Sequence, residues 1–94
     1  MKMELNVYAV LDLKTKAFTQ PFYAKTRGEA IRSFTTAVNE AQPNNMWNKY
    51  PGDFALYEIG LWDDNLGEFT MNPSKENLGL ANQYLRVEDN QINH

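Results

Sequence analysis

The chain has 94 residues, 43 % hydrophobic and 22 % charged, with a formal net charge of −3 and no cysteine. That length gives one domain with one modest core, burying roughly 60 to 70 % of the surface its unfolded form exposes, and the composition excludes disordered and fibrous classes. A disulfide framework and a thiolate site are excluded outright; the longest apolar runs fall well short of the ~20 residues of a membrane span, and secretion is not expected.

The charge is unevenly spread. Residues 1–50 hold seven Lys/Arg and four Asp/Glu, whereas residues 51–94 hold two and eight. This split suits a basic face for an anionic partner or head-to-tail association of copies, and it is equally met by two solvated surfaces.

In chain order, Leu5, Val7, Ala9 and Leu11 alternate with Asn6, Tyr8, Val10 and Asp12, which predicts a strand over about 4–12 with one face on a core. A connector of hairpin length from Asp12 to Ala17 follows. Phe18 to Tyr23 then pairs back only in part, because Pro21 has no amide proton for a ladder, so this strand is short and lies at an edge. Thr26 and Glu29 match a capping box. Ala30, Ile31, Phe34, Ala37, Val38 and Ala41 then keep helical spacing, and the helix is expected over about 27–41, stopped by Gln42-Pro43.

The loop 43–52 is rich in turn formers but carries Trp47 and Tyr50, so it reads as ordered. Alternation from Phe54 to Trp62 predicts another strand. Asp63 to Glu68 supplies a turn with Gly67 in the left-handed conformation, and Glu68 to Met71 returns. The two hairpins share a pattern: Asp12 stands six residues before Phe18-Thr19, and Asp63 six before Phe69-Thr70. Leu78, Ala81, Tyr84 and Leu85 have helical spacing, giving a short C-terminal helix or docked segment. The expected fold is α+β: a small twisted antiparallel sheet of two hairpins packed on one main helix, in a single domain over 1–87, with a frayed polar tail over 88–94.

The chemistry is sparse. One histidine, His94 at the terminus, gives no triad. Asp63, Asp64 and Glu68 can hold a hard cation in principle, but paired carboxylates at a strand end ordinarily serve the turn, and no metal site is assigned. No glycine-rich phosphate loop opens a helix. No catalytic residue and no cofactor are assigned.

The richest stretch is Lys14 to Arg32, where five cations face one anion among Phe18, Phe22 and Tyr23. Cations and rings in one short segment fit a single-stranded nucleic acid, with phosphates held by Lys14, Lys16, Lys25, Arg27 and Arg32 and bases stacked on Phe22, Tyr23 or Trp47. Strand alternation requires that only one of Phe22 and Tyr23 point outward. The helix start at Thr26 offers free amides to a phosphate unless Glu29 already occupies them.

Asn6-Val7-Tyr8-Ala9-Val10, Asp12-Leu13-Lys14, Pro21-Phe22, the helix around Ala30-Ile31-Arg32-Ser33-Phe34, Tyr50-Pro51-Gly52-Asp53-Phe54 and Gly60-Leu61-Trp62-Asp63-Asp64 occur in an order and spacing that resemble a family. It is the nonstructural DNA-binding protein of gokushovirus-type microviruses, small bacteriophages with circular single-stranded DNA. The resemblance runs from about residue 5 to 85. It implies a non-enzymatic protein of the host-cell cytoplasm, acting in viral DNA synthesis and the change from replication to packaging. The family supplies no agreed contact residues to carry over. A homodimer is expected through sheet edges or the uncovered sheet face. The alternative function is docking onto a phage replication or capsid protein through Asp53, Glu58, Asp63, Asp64 and Glu68, without direct DNA contact.

Overall fold

A computed structural model describes residues 4–86 and has an α+β architecture. β1 (Glu4–Asp12), β2 (Ala17–Phe18), β3 (Phe22–Ala24), β4 (Phe54–Asp63) and β5 (Glu68–Leu80) form one antiparallel sheet, with α1 (Arg27–Val38) laid across one face. β1 and β4 are central. β2 and β3 share the outer side of β1, and β5 forms the opposite edge.

Pro21 splits the outer strand as its missing donor dictates. Thr19 bridges the gap: its amide donates to the Val10 carbonyl at 2.9 Å, and its hydroxyl accepts from the Val10 amide at 3.0 Å. Pro73 lies in a bulge of β5, where Asn72 to Lys75 stand opposite the single residue Ile59. Both sheet edges are therefore blunted by a proline.

Both faces of β1 are buried at its centre, more than one-sided alternation predicts. Tyr8 and Val10 face α1 and join Phe54, Leu56, Ala30, Phe34 and Val38 in the core. Val7 and Ala9 point to the other face and are also closed off, each 2 % exposed.

Ala30, Phe34 and Val38, four residues apart, form the buried stripe of α1. Thr26 caps it by accepting the Glu29 amide at 3.1 Å. The helix stops at Val38, not near residue 41, because asparagines take over its last carbonyls. Asn39 Nδ2 donates to Thr35 O, Asn45 Nδ2 to Ala37 O and Asn48 Nδ2 to Val38 O, at 2.7 to 3.0 Å. That satisfies groups that a helix end leaves open. Asn45 also caps the four-residue helix α2 (Met46–Lys49), so the loop is ordered as its aromatics suggested.

The helical reading of the C-terminal segment is corrected over 74–80. β5 does not end near Met71 but continues to Leu80, and the short C-terminal helix is confined to one 3-10 turn at Ala81–Gln83, so the spacing of Leu78, Ala81 and Tyr84 spans a strand end and that turn. Glycine and asparagine in this stretch weaken any helix, and the ladder to β4 supplies the alternative hydrogen bonds. The segment does dock: Leu78, Tyr84 and Leu85 pack against the core, and Tyr84 meets Phe34 edge-on at 5.9 Å. The tail expected to fray, 88–94, lies outside the described residues. Among the described residues no helix is long and apolar enough to cross a membrane.

Candidate nucleic-acid interface

Pairing register sorts the side chains by face. Residues opposite each other in a ladder point to the same side of the sheet. Tyr8 lies opposite Phe22 and Glu58, which puts all three on the helix side. Leu5 opposite Trp62, Val7 opposite Tyr23, Ala9 opposite Tyr57, Leu11 opposite Phe18 and Trp62 opposite Phe69 define the other side. Among the described residues, that side carries no helix.

Its middle is a floor of small residues, Val7, Ala9, Ala55 and Gly60, and its rim is aromatic. Gly60 is required there, since an added Cβ would lie 2.6 Å from the Thr70 carbonyl oxygen. Toward the β1–β2 turn, Phe18 packs edge-on to Tyr57 with centroids 5.6 Å apart, and Lys75 Nζ stands 6.0 Å from the Phe18 centroid. The bulge at Pro73 brings that cation onto the face. Toward the other end, Tyr23 stacks with Phe69 at 6.5 Å and Trp62 tilts against Phe69 at 4.8 Å. Phe18, Tyr23, Phe69 and Met71 are 40 to 54 % exposed. An exposed apolar face of this kind is a candidate binding surface.

The residues expected to bind nucleic acid do not form one patch. Tyr23 points to the open face. Phe22, its neighbour, points to the helix side, where it stacks on Tyr8 at 5.7 Å. Trp47 packs against Phe34 and Phe54 at the edge of the core, with centroids at 5.4 and 6.4 Å. Phe22 and Trp47 instead line a small apolar cleft with Phe34 and Ala37 on the helix side.

Lys14 and Lys16 lie exposed in the β1–β2 turn, directly before Phe18. Lys25 joins β3 to α1, its carbonyl 3.5 Å from Asn6 Nδ2, about 20 Å along β1 from that turn. Arg32 is exposed on α1, two residues from the buried Ala30 and Phe34 and so on the helix's outward side.

Arg27 is engaged internally. Its Nη2 pairs with Glu58 Oε1 at 2.8 Å and Glu76 Oε1 at 3.0 Å, fastening the start of α1 to β4 and β5. Glu58 also accepts the Tyr8 hydroxyl at 2.9 Å. The Arg27 hydrogen bond, aided by that of Tyr8, holds the Glu58 carboxyl below the usual carboxylate range against the opposing effect of burial. Burial, reinforced by the adjacent carboxylate, pushes the Tyr8 hydroxyl up to about 12. Glu58 is thereby removed from any acidic docking set.

At the helix start the Thr26 hydroxyl takes the Glu29 amide, and the Glu29 carboxylate turns back to the residue before the cap. Glu29 Oε1 accepts the Lys25 amide at 3.2 Å, one residue earlier than the reciprocal bond of a capping box.

Phe18, Tyr57, Trp62, Phe69 and Lys75 were not assigned from sequence. Alternation alone does not say which side of a strand the helix covers, and Lys75 reaches the face only through a bulge. The signal that was present is the pairing of Phe18 and Phe69 at equal distances after Asp12 and Asp63.

Comparison with known proteins adds three findings. The sequence profile of the family described as Phage ORF5 protein matches residues 5–84. The protein named Protein ORF5 from Chlamydia phage 1 is 29 % identical over 69 residues, covering 71 % of this chain and 72 % of that protein. No solved structure matches.

Proposed function

Because this chain belongs to the phage ORF5 protein family, we propose that it is a non-enzymatic single-stranded DNA-binding protein of the infected bacterial cell, acting in phage DNA synthesis and the switch to packaging. The observation that carries this reading is the uncovered sheet face, where Phe18, Tyr23, Tyr57, Trp62 and Phe69 are presented beside Lys75 and the lysines of the β1–β2 turn.

Stacked bases need flat apolar partners and phosphates need cations, and this face offers both side by side. The ring clusters are about 13 Å apart along β1, from Val7 to Leu11, so an extended strand can meet both in one pass. Duplex DNA hides its ring faces and gains only the electrostatic share. Lys14, Lys16, Lys25 and Lys75 are the phosphate partners in this reading; Arg32 lies on the far side of α1, and Arg27 serves the fold.

The test is a gel-shift series with single-stranded and duplex DNA at several salt concentrations. Four phosphate contacts predict a log–log salt slope of about −3 for the single strand, at roughly −0.7 per contact. Preference for the single strand together with that slope supports the reading. A flat salt response, or equal affinity for duplex, defeats it.

A further inference from the structure

A recess of about 250 Å³ opens on the uncovered face, lined by Leu5, Tyr23, Trp62 and Phe69. The Tyr23 and Phe69 rings stand 6.5 Å apart, centroid to centroid, with planes only 25° from parallel. That spacing is the one of an offset-stacked pair, about 4.5–7 Å between centroids, so the two rings form one near-parallel aromatic wall of the recess, and a flat group entering it can extend the stack. Trp62, inclined 52° to Phe69, forms an end wall, and Leu5 lies opposite it in the ladder.

We infer that this recess is a stacking slot for a single nucleobase of bound DNA. The inference rests on the single-stranded-DNA reading above and adds to it where one base is held. A wall of near-parallel rings favours a planar guest over a branched aliphatic side chain. The cations on the same face, Lys75 above Phe18 and the nearby turn lysines, complement a strand whose phosphates continue past the slot. All four lining side chains present mainly apolar surface, so the slot grips ring faces without reading base edges, and binding there tolerates any sequence.

Trp62 in the wall provides the readout. Oligo(dT) is expected to quench tryptophan fluorescence, an abasic strand of equal length is not, and the quench disappears in Trp62→Phe. Phe69→Leu keeps the site apolar but removes the ring; it should weaken oligo(dT) binding about 5- to 150-fold while leaving the abasic strand unaffected, and Phe69→Tyr should retain full affinity. Phe69 is 53 % exposed, so these variants are expected to fold, which thermal melting verifies.

The inference is overturned if oligo(dT) binds with no Trp62 signal and Phe69→Leu loses no affinity, an outcome that leaves DNA binding itself standing. It is also overturned if sedimentation shows that Phe69→Leu dissociates a dimer without changing affinity per chain, for then the recess holds a second copy. Failure of every strand to bind removes both readings.

Discussion

Tyr8 and Glu58 lie opposite each other in the central ladder, and the phenol donates to the carboxylate at 2.9 Å while Arg27 grips the same carboxylate from α1. One acidic side chain thus joins the two central strands to the helix. Tyr8 is fully buried and has no solvent to replace that acceptor.

Glu58→Ala should cost about 1–3 kcal/mol, mostly by stranding the Tyr8 hydroxyl, and Tyr8→Phe less, since Glu58 keeps Arg27. The pH dependence has two signs. Glu58 has a lowered folded-state pKa, so its stabilisation is present above its unfolded value and is lost as pH falls through the folded one. Tyr8, raised from 10.0 to about 12, contributes stability present below pH 10 and lost as pH rises from 10 toward 12. Melting temperatures across pH check this: Tyr8→Phe should flatten the alkaline fall, and Glu58→Gln part of the acid one.

Lys25 and Arg27 are two residues apart and should behave differently. Lys25→Glu is expected to weaken single-stranded DNA binding and to leave the melting temperature nearly unchanged. Arg27→Glu brings a third carboxylate to Glu58 and Glu76 and should lower the melting temperature clearly. Equal thermal losses in the two variants would contradict this division of roles.

Gly79 has φ of 125°, and an added Cβ would collide with Gln83 Oε1 and come within 3.2 Å of the Tyr84 ring. The Tyr84 hydroxyl donates to the Leu78 carbonyl, closing the segment over the core. Gly79→Ala should therefore release the docked C-terminal segment at a cost of roughly 2–3 kcal/mol, read by denaturant unfolding and by faster amide exchange around Tyr84.

The two hairpin turns are built alike. Asp12 Oδ1 accepts the amides of Lys14 and Thr15, as Asp63 Oδ1 accepts those of Asn65 and Leu66. Each aspartate carbonyl accepts the amide of the residue four on, Lys16 with φ 62° or Gly67 with φ 67°. Lys16 occupies a left-handed position that glycine fills without strain. Lys16→Gly should raise stability by about 0.5 kcal/mol, strain relief being partly offset by a more flexible unfolded chain, and Gly67→Ala should lower it by about 1 kcal/mol. The same Lys16→Gly change should weaken DNA binding, so stability and affinity move in opposite directions.

Much of this architecture was legible in residue order. Period-2 runs gave β1 and β4 within a residue of their ends; Thr26 and the spacing of Ala30, Phe34 and Val38 gave α1; and Pro21 gave a broken edge strand. These features are local, since turn chemistry, capping and periodicity act over a few residues and are written in neighbouring positions. The end of α1 and the length of β5 were not readable, because the groups that settle them come from elsewhere in the chain: Asn45 and Asn48 on the helix carbonyls, and β4 offering its ladder to residues 74–80.

By itself, then, the sequence determined an α+β domain with one main helix, two hairpins of matching turn chemistry, and a cation-rich segment containing rings. Tertiary structure decided which rings and cations meet. Pairing register turned Tyr23 outward and Phe22 inward, the helix packed on one face and left Phe18, Tyr57, Trp62 and Phe69 on the other, and a bulge brought Lys75 among them while Arg27 was drawn to Glu58. A side chain's partner across a sheet depends on register between distant segments, and a one-residue slip reverses every face, so no local pattern fixes it.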